Sequence, residues 1–333
     1  MSNQTFQALV VSETGDKQYI REIKTRTLAE LPPGEVLVRV RYSSLNYKDV
    51  LSAIGNKGVT KKYPHTPGID AAGVVAESQS PDFQPGDEVI VTSYDLGMNT
   101  PGGFGEFIRV PAAWVVKRPE GLSLRESMIY GTAGFTAALS VLRLMAGGVQ
   151  TDQGKILVSG ATGGVGSVAV SILAQEGYQV TGVSGRKETW EYLQELGARD
   201  VISAEEATDT SGRPLLPERW AGSIDTVGGP LLATTIRSVQ YSGVVTCCGN
   251  VAAPDLPLTV YPFILRGVTL IGIDSQNCPM PTRVQVWEKL AQKWKVPHLE
   301  RITTETDLAG LNEQIDLILN RQHRGRTIIR LPQ

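Results

Sequence analysis

Residues 160–166 read Gly-Ala-Thr-Gly-Gly-Val-Gly, four glycines in seven positions between an apolar run and a segment of helical periodicity. Written as a six-residue fingerprint, the stretch is Ala161-Thr162-Gly163-Gly164-Val165-Gly166, with alanine in the first glycine slot. Such a turn suits phosphate. Gly163 removes a Cβ where a pyrophosphate must approach the backbone, and Gly166 lets the helix pack closely on its strand. The helix N-terminus adds free N–H groups and a partial positive charge. A glycine turn with no ligand is the competing reading. The strand before the cluster and the amphipathic helix after it favour the cradle.

The end of the next strand bears on which dinucleotide would fit. An NAD site places Asp or Glu about 20 residues past the glycines, on the ribose 2′-OH. Here that region reads Val183-Ser184-Gly185-Arg186-Lys187, with no acid before Glu188. Gly185 leaves room for a 2′-phosphate, Ser184 can hydrogen-bond it and Arg186 can grip it bidentately. The alternative is that Arg186 is a solvated charge. The missing acid favours NADPH.

No metal site is expected. A catalytic zinc takes three protein ligands from Cys, His or carboxylate. His65, His298 and His323 are widely separated and form no ligand pattern. Cys247 and Cys248 are adjacent in a strand, so they point to opposite faces and read as small buried hydrophobes.

The elements that must hold these residues fall into two kinds. Up to about residue 120 the chain is β-rich, with FQALVV, GEVLVRVRY, DAAGVVAE, DEVIVTSY and EFIRVPAAWVV separated by LPPGE, QPGD and TPGG turns. Helical patterning follows over 123–146. From Lys155 strands alternate with helices: KILVSGA, a helix with Val165, Val168, Ala169 and Ile172 on one face, YQVTGVS, then KETWEYLQELGA. DVISA, GSIDTVGG, GVVTCCGN and GVTLIGID are further strands, and Val284, Trp287, Leu290 and Trp294 mark a helix over 281–295. The order implies an α/β chain with a Rossmann-type, doubly wound parallel sheet plus an N-terminal β-rich barrel domain. Residues 1–125, joined by a tail at 300–333, form the first domain; 126–299 form the nucleotide domain.

At 333 residues two domains are the prior. Lys plus Arg number 32 against 34 Asp plus Glu, a formal charge of −2, which argues against a nucleic-acid surface. MSNQTFQALV carries no secretory pattern, no uncharged apolar stretch approaches the roughly 20 residues of a membrane span, and three cysteines suit a reducing cytosol. A cytoplasmic protein is expected.

This order of a β-rich domain, a dinucleotide fold and a return tail resembles the medium-chain dehydrogenase/reductase superfamily, whose first domain is GroES-like. LNYKD (45–49), PGIDAAG (67–73), GDEVIVTSY (86–94), YGTAGFTAALS (130–140), GATGGVG (160–166) and YPFILRGVTLIGIDS (261–275) narrow the resemblance. They resemble the zinc-free quinone-oxidoreductase-like group, and within it the NADPH-dependent acrylyl-CoA reductases. Zinc-dependent relatives place a Cys ligand at the position of Asn46 and a Gly-His-Glu motif at Gly68-Ile69-Asp70; no Cys precedes 247 to build their structural zinc lobe.

The resemblance implies a site. Thr162, Gly163, Gly164 and Val165 would line the pyrophosphate, and Ser184, Gly185 and Arg186 the 2′-phosphate. Tyr47 would contact NADPH with Asn46 close by; Tyr47 can donate a hydrogen bond or a proton, Asn46 a hydrogen bond only. Both also have structural readings, as a core edge and a turn residue. Asn250, Ile264 and Ser275 would flank the nicotinamide half, ordinary core packing being the rival role for Ile264, and Arg321 would approach from the tail. Related enoyl reductases carry a catalytic tyrosine where GNKGVTKKY puts Lys57, so no general acid is assigned. Lys57, Lys61 and Lys62 read as a solvated group that could attract coenzyme A phosphates.

The implied reaction is hydride delivery to an activated C=C bond, acrylyl-CoA foremost. Quinone reduction by NADPH and a non-catalytic NADPH-binding sensor are the alternatives, and a homodimer is expected through the GVTLIGID edge.

Overall fold

The computed structural model describes residues 4–297 and 299–332; His298 lies outside the described residues. The chain begins with strands β1 (Thr5–Glu13), β2 (Tyr19–Thr27) and β3 (Val36–Leu45), then helix α1 (Tyr47–Ala53). Strands β4 (Asp70–Ser78), β5 (Glu88–Thr92), β6 (Phe107–Val110) and β7 (Val115–Lys117) lead into the long helix α2 (Leu124–Ala146). There follow β8 (Lys155–Val158), α3 (Gly164–Gln175), β9 (Gln179–Val183), α4 (Trp190–Glu195), β10 (Asp200–Ile202) and β11 (Trp220–Asp225). Next come α5 (Gly229–Ser238), β12 (Val239–Cys247), α6 (Tyr261–Arg266) and β13 (Thr269–Gly272), and the chain closes with α7 (Met280–Ala291), β14 (Thr303–Thr306), α8 (Leu311–Leu319) and β15 (Arg326–Arg330).

Two compact units result. One holds the chain up to Thr132, Ser275–Gln292 and the segment from residue 299; the other holds Ala133–Asp274 and Lys293–Pro297. In the second, six parallel strands run in the order β10-β9-β8-β11-β12-β13. This is the doubly wound order expected of a dinucleotide fold. Ile156, Leu157 and Val158 of β8 are buried because parallel strands flank them and helices cover both faces. The order reverses between β8 and β11.

In the first unit a seven-stranded sheet is built around β3, which pairs β4 on one edge and both β6 and β15 on the other. Its core includes Leu9, Val38, Val40, Val91, Phe104, Ile108 and Ile329. The β1–β2 hairpin forms a separate two-stranded sheet.

The division differs from the expected 125/126 and 299/300. It falls after Thr132, inside α2, where Gly131 kinks the helix with φ 50° and ψ −155°. A Cβ there would lie 2.4 Å from both Asp70 Oδ2 and Ser44 Oγ, so only glycine permits the approach. Residues 275–292 join the first unit because the buried Arg283 guanidinium donates to Thr92 O (3.1 Å), Ser275 O (2.9 Å) and Gln276 O (3.2 Å). The last expected helix stops at Ala291, and Trp294 is buried beyond it, donating to Glu176 Oε1 at 3.0 Å. By length and composition α2 could cross a bilayer; 78% of its most apolar window is buried in the protein.

Candidate active site

In the nucleotide unit the β8–α3 turn is shaped by its glycines. Gly160 takes φ 58°, and a Cβ on Gly166 would meet Gly160 O at 2.3 Å, so Gly166 seats α3 on the turn. Gly163, the N-cap, is different: its nearest neighbour would be Gly160 O at 3.3 Å. Its missing side chain leaves space on the outer side of the turn. The first-turn N–H groups of Gly164, Val165 and Gly166 have no acceptor within the helix, which makes them ready donors to an anion. Thr162 is half-buried beside them. Ala161 N donates to Val183 O at 3.3 Å, bringing this turn against the end of β9.

At that end, open space surrounds Gly185, where a Cβ would meet nothing within 4 Å. Arg186 is half-exposed next to it. Ser184 is turned inward: its Oγ accepts from Arg186 N at 3.2 Å and pairs with Thr189 Oγ1 at 2.8 Å. Its hydroxyl thus shapes the loop that presents Arg186. Asn250 is exposed beside Gly228, its Cα 3.2 Å from where a Cβ on that glycine would sit. Ile264, on α6, is 67% exposed, and Val260, Tyr261 and Leu265 are exposed too.

The first unit, taken by itself, holds a buried polar cluster centred on Asp70. Its carboxylate accepts from Ser44 Oγ (2.5 Å), Asn46 Nδ2 (2.7 Å), Thr132 N (2.8 Å) and Thr132 Oγ1 (2.5 Å), with Arg326 Nη2 at 3.9 Å. Arg326 donates further to Ile129 O, Leu45 O, Asn46 Oδ1 and Ser44 Oγ at 2.8 to 3.2 Å. Burial lowers its pKa. Asp49 accepts from Asn46 N (2.8 Å), Gly68 N (3.0 Å) and Ile69 N (2.8 Å); burial, then the charge of Asp70, pushes its carboxyl up to about 7.

These bonds separate the two LNYKD candidates. Asn46 is 8% exposed, and its amide hydrogens go to Asp70, to Ser44 O (3.3 Å) and toward Asp49 Oδ2 (3.3 Å). It anchors the start of α1. Tyr47, the first helical residue, is 46% exposed, its side chain presented by that anchored turn. Ser275 is held through its carbonyl by Arg283, and its neighbour Gln276 accepts from Lys48 Nζ at 2.6 Å. Arg321 is exposed, ending α8 with φ 58°. Arg326, also in the tail, belongs to the Asp70 cluster. Lys57 is exposed but committed to Glu13 (2.6 Å) and lies over the Tyr63 and Tyr19 rings; Lys61 and Lys62 are exposed as well.

Two domain families match the chain: the alcohol dehydrogenase GroES-like domain over residues 32–120 and the zinc-binding dehydrogenase domain over 164–293. The acrylyl-CoA reductase AcuI of Ruegeria pomeroyi is 44% identical over 330 residues, covering 97% of this chain and 98% of that one. The chain belongs to the medium-chain dehydrogenase/reductase family. Another member of that family, Bacillus subtilis YhfP, which bears the provisional name quinone oxidoreductase, is 45% identical over 327 residues, 98% of this chain and 99% of that one. Its structure with NAD bound matches this dehydrogenase/reductase with a TM-score of 0.96 over 98% of this chain and all of that one. The yhdH oxidoreductase of Salmonella enterica in complex with NADP matches at 0.95, with 41% identity over 98% and 100% of the two chains. In this family member Asn46 is bonded to Asp70, and the Ile69 N–H donates to Asp49.

Proposed function

We propose that this chain is an NADPH-dependent reductase of activated C=C bonds, with short 2-enoyl-CoA thioesters, acrylyl-CoA foremost, as acceptors. The observation that carries the cofactor is the end of β9, where an open Gly185 and Arg186 stand in place of a carboxylate. A carboxylate there would repel a 2′-phosphate, whereas a guanidinium binds one through charge-assisted bonds. The kinship to AcuI and to an NADP-bound oxidoreductase supports the same reading.

A reduced nicotinamide held there would supply a hydride for the β-carbon of the thioester, with solvent water the source of the proton at the α-carbon. The chain's own part is to hold the nucleotide phosphates on the Thr162–Val165 turn and to support the charge that develops on the thioester oxygen. Tyr47 is the residue proposed to touch the cofactor and to donate a hydrogen bond; Asn46 acts by holding it. Asn250 and Ser275 are proposed neighbours of the nicotinamide. Zinc plays no part in this reading. Asn46 and Ile69 offer neither thiolate nor imidazole, and Asp70 is already engaged by four donor groups and the buried cation Arg326.

The protein is further proposed to be a cytoplasmic homodimer. Among the described residues the sheet edge at β13 is unpaired, and Val260, Tyr261, Ile264 and Leu265 expose apolar side chains on the preceding helix and its lead-in. Cys247, Cys248 and Cys278 are thiols rather than disulfides, which suits a reducing compartment.

Steady-state assays with NADPH test the activity. A kcat/KM for acrylyl-CoA above that for quinones is expected. The reverse order favours the quinone reductase that the YhfP kinship suggests, and tight NADPH binding without turnover of any acceptor leaves a sensor.

A further inference from the structure

Asp225 ends β11 and is fully buried. Its carboxylate accepts from the ends of neighbouring elements: Ser159 Oγ after β8 at 2.7 Å, and Val227 N and Gly228 N of its own turn at 3.2 and 2.8 Å. Ser159 is itself tied to that turn, because Thr226 N donates to its Oγ (2.9 Å) and Thr226 Oγ1 to its carbonyl (3.0 Å). After β12, Cys248 N donates to Asp225 O at 3.0 Å. Three consecutive turns therefore meet on one residue, where β8 adjoins β11 and the strand order reverses.

The turns are also packed by glycines. A Cβ on Gly160 would lie 2.2 Å from Thr226 Oγ1, and one on Gly249 2.0 Å from Thr226 O. Gly160 opens the cradle that continues to Gly166. The Thr226 turn is thus packed directly against the residue that opens the cradle.

A buried carboxylate is an expensive way to hold a fold together, and burial pushes its pKa up. Its negative charge also opposes a pyrophosphate placed on the adjacent turn. What it supplies is geometry: a carboxylate can take several N–H and O–H donors at once, which no apolar residue can.

We propose that Asp225 is a positioning residue, which acts through Ser159 and the Thr226–Gly228 turn to set the shape of the phosphate cradle and so the affinity for the nicotinamide dinucleotide. The proposal rests on the cofactor reading above.

Asp225→Ala removes every side-chain acceptor. Asp225→Asn keeps an oxygen for Val227 N and Gly228 N and turns its amide toward Ser159 Oγ. Titration calorimetry with NADPH and NADH, together with KM and kcat, tests the pair. The alanine variant should raise Kd for both nucleotides by the same factor, about tenfold or more, with KM for NADPH rising and kcat unchanged. The asparagine variant should stay within about threefold of wild type. Simple destabilisation would lower the active fraction and hence the apparent kcat, without moving the Kd of folded molecules. An unchanged Kd in the alanine variant overturns the proposal, as does an asparagine variant as weak as alanine. If Asp225→Ala does not fold, Ser159→Ala tests the same link: a several-fold rise in Kd supports it and wild-type affinity overturns it. Failure of the wild-type protein to bind NADPH sinks the cofactor reading instead, so the two failures are distinguishable.

Discussion

Asp49→Asn should stabilise the first unit at alkaline pH and lose that advantage in mild acid. The carboxyl is fully buried, and burial and the charge of Asp70 raise it from an ordinary 3.8 to about 7 despite the bonds from Asn46 N and Ile69 N. A carboxyl raised on folding stabilises the protein in its protonated form. That contribution is complete below the unfolded value and is lost as pH climbs through the folded one. At about 1.4 kcal/mol per tenfold change in proton affinity, the difference between 3.8 and about 7 amounts to about 4 kcal/mol of penalty above neutrality. Asparagine carries no such penalty. It keeps one oxygen for Gly68 N and Ile69 N but turns an amide toward Asn46 N, which costs about 2 kcal/mol. The variant should therefore be about 2 kcal/mol more stable than wild type above about pH 8, with the gain vanishing near about pH 5. Hydrogen exchange of the α1 amides between those limits reads the first unit directly. A difference between variant and wild type that stays constant with pH would refute the reasoning, because only the titration of Asp49 makes it vary.

Arg186→Ala should weaken NADPH binding by roughly 10- to 100-fold, the worth of a charge-assisted bond pair, while NADH binding stays put; calorimetry showing equal loss for both nucleotides would remove the 2′-phosphate assignment. The two cradle glycines should separate fold from binding. Gly166→Ala drives a Cβ to 2.3 Å from Gly160 O and should cost about 1–3 kcal/mol in urea unfolding. Gly163→Ala meets its nearest atom at 3.3 Å, so it should leave stability within about 1 kcal/mol but weaken NADPH binding; wild-type affinity there would mean that no phosphate approaches the turn. His65 is buried, and burial holds its pKa below 6.5, so it folds neutral. Its contribution is present above about 6.5 and lost as pH falls. His65→Phe should flatten the acid limb of the stability profile, and an unchanged limb would assign it to other groups.

Much of this protein is written in local spacing. The glycine cluster, the apolar run of β8, the missing acid after β9 and the alternation of strands and helices all lie within short windows, where steric and periodic rules act on neighbouring residues. The LNYKD and YGTAGFTAALS stretches carry the family. Elements whose residues lack such a signal are not legible in the same way. β2 is one: Glu22 and Lys24 face solvent, Arg21 and Arg26 are only partly buried, and the strand is held by its pairing with β1. The short helices α1 and α6 are others, too brief for a periodic pattern.

What tertiary structure alone decided is who meets whom. Asn46 and Arg326 stand 280 positions apart yet share a hydrogen bond of 3.2 Å. Asp70 and Thr132, 62 apart, join the same cluster. No window of sequence brings a tail arginine to a carboxylate in β4, because their meeting depends on β15 pairing with β3. The same cause brought Arg326 into the Asp70 cluster and gave Asn46 an anchoring role. Residue types and spacing set the chemistry on offer; long-range strand pairing and burial chose which of those groups remain open to a ligand.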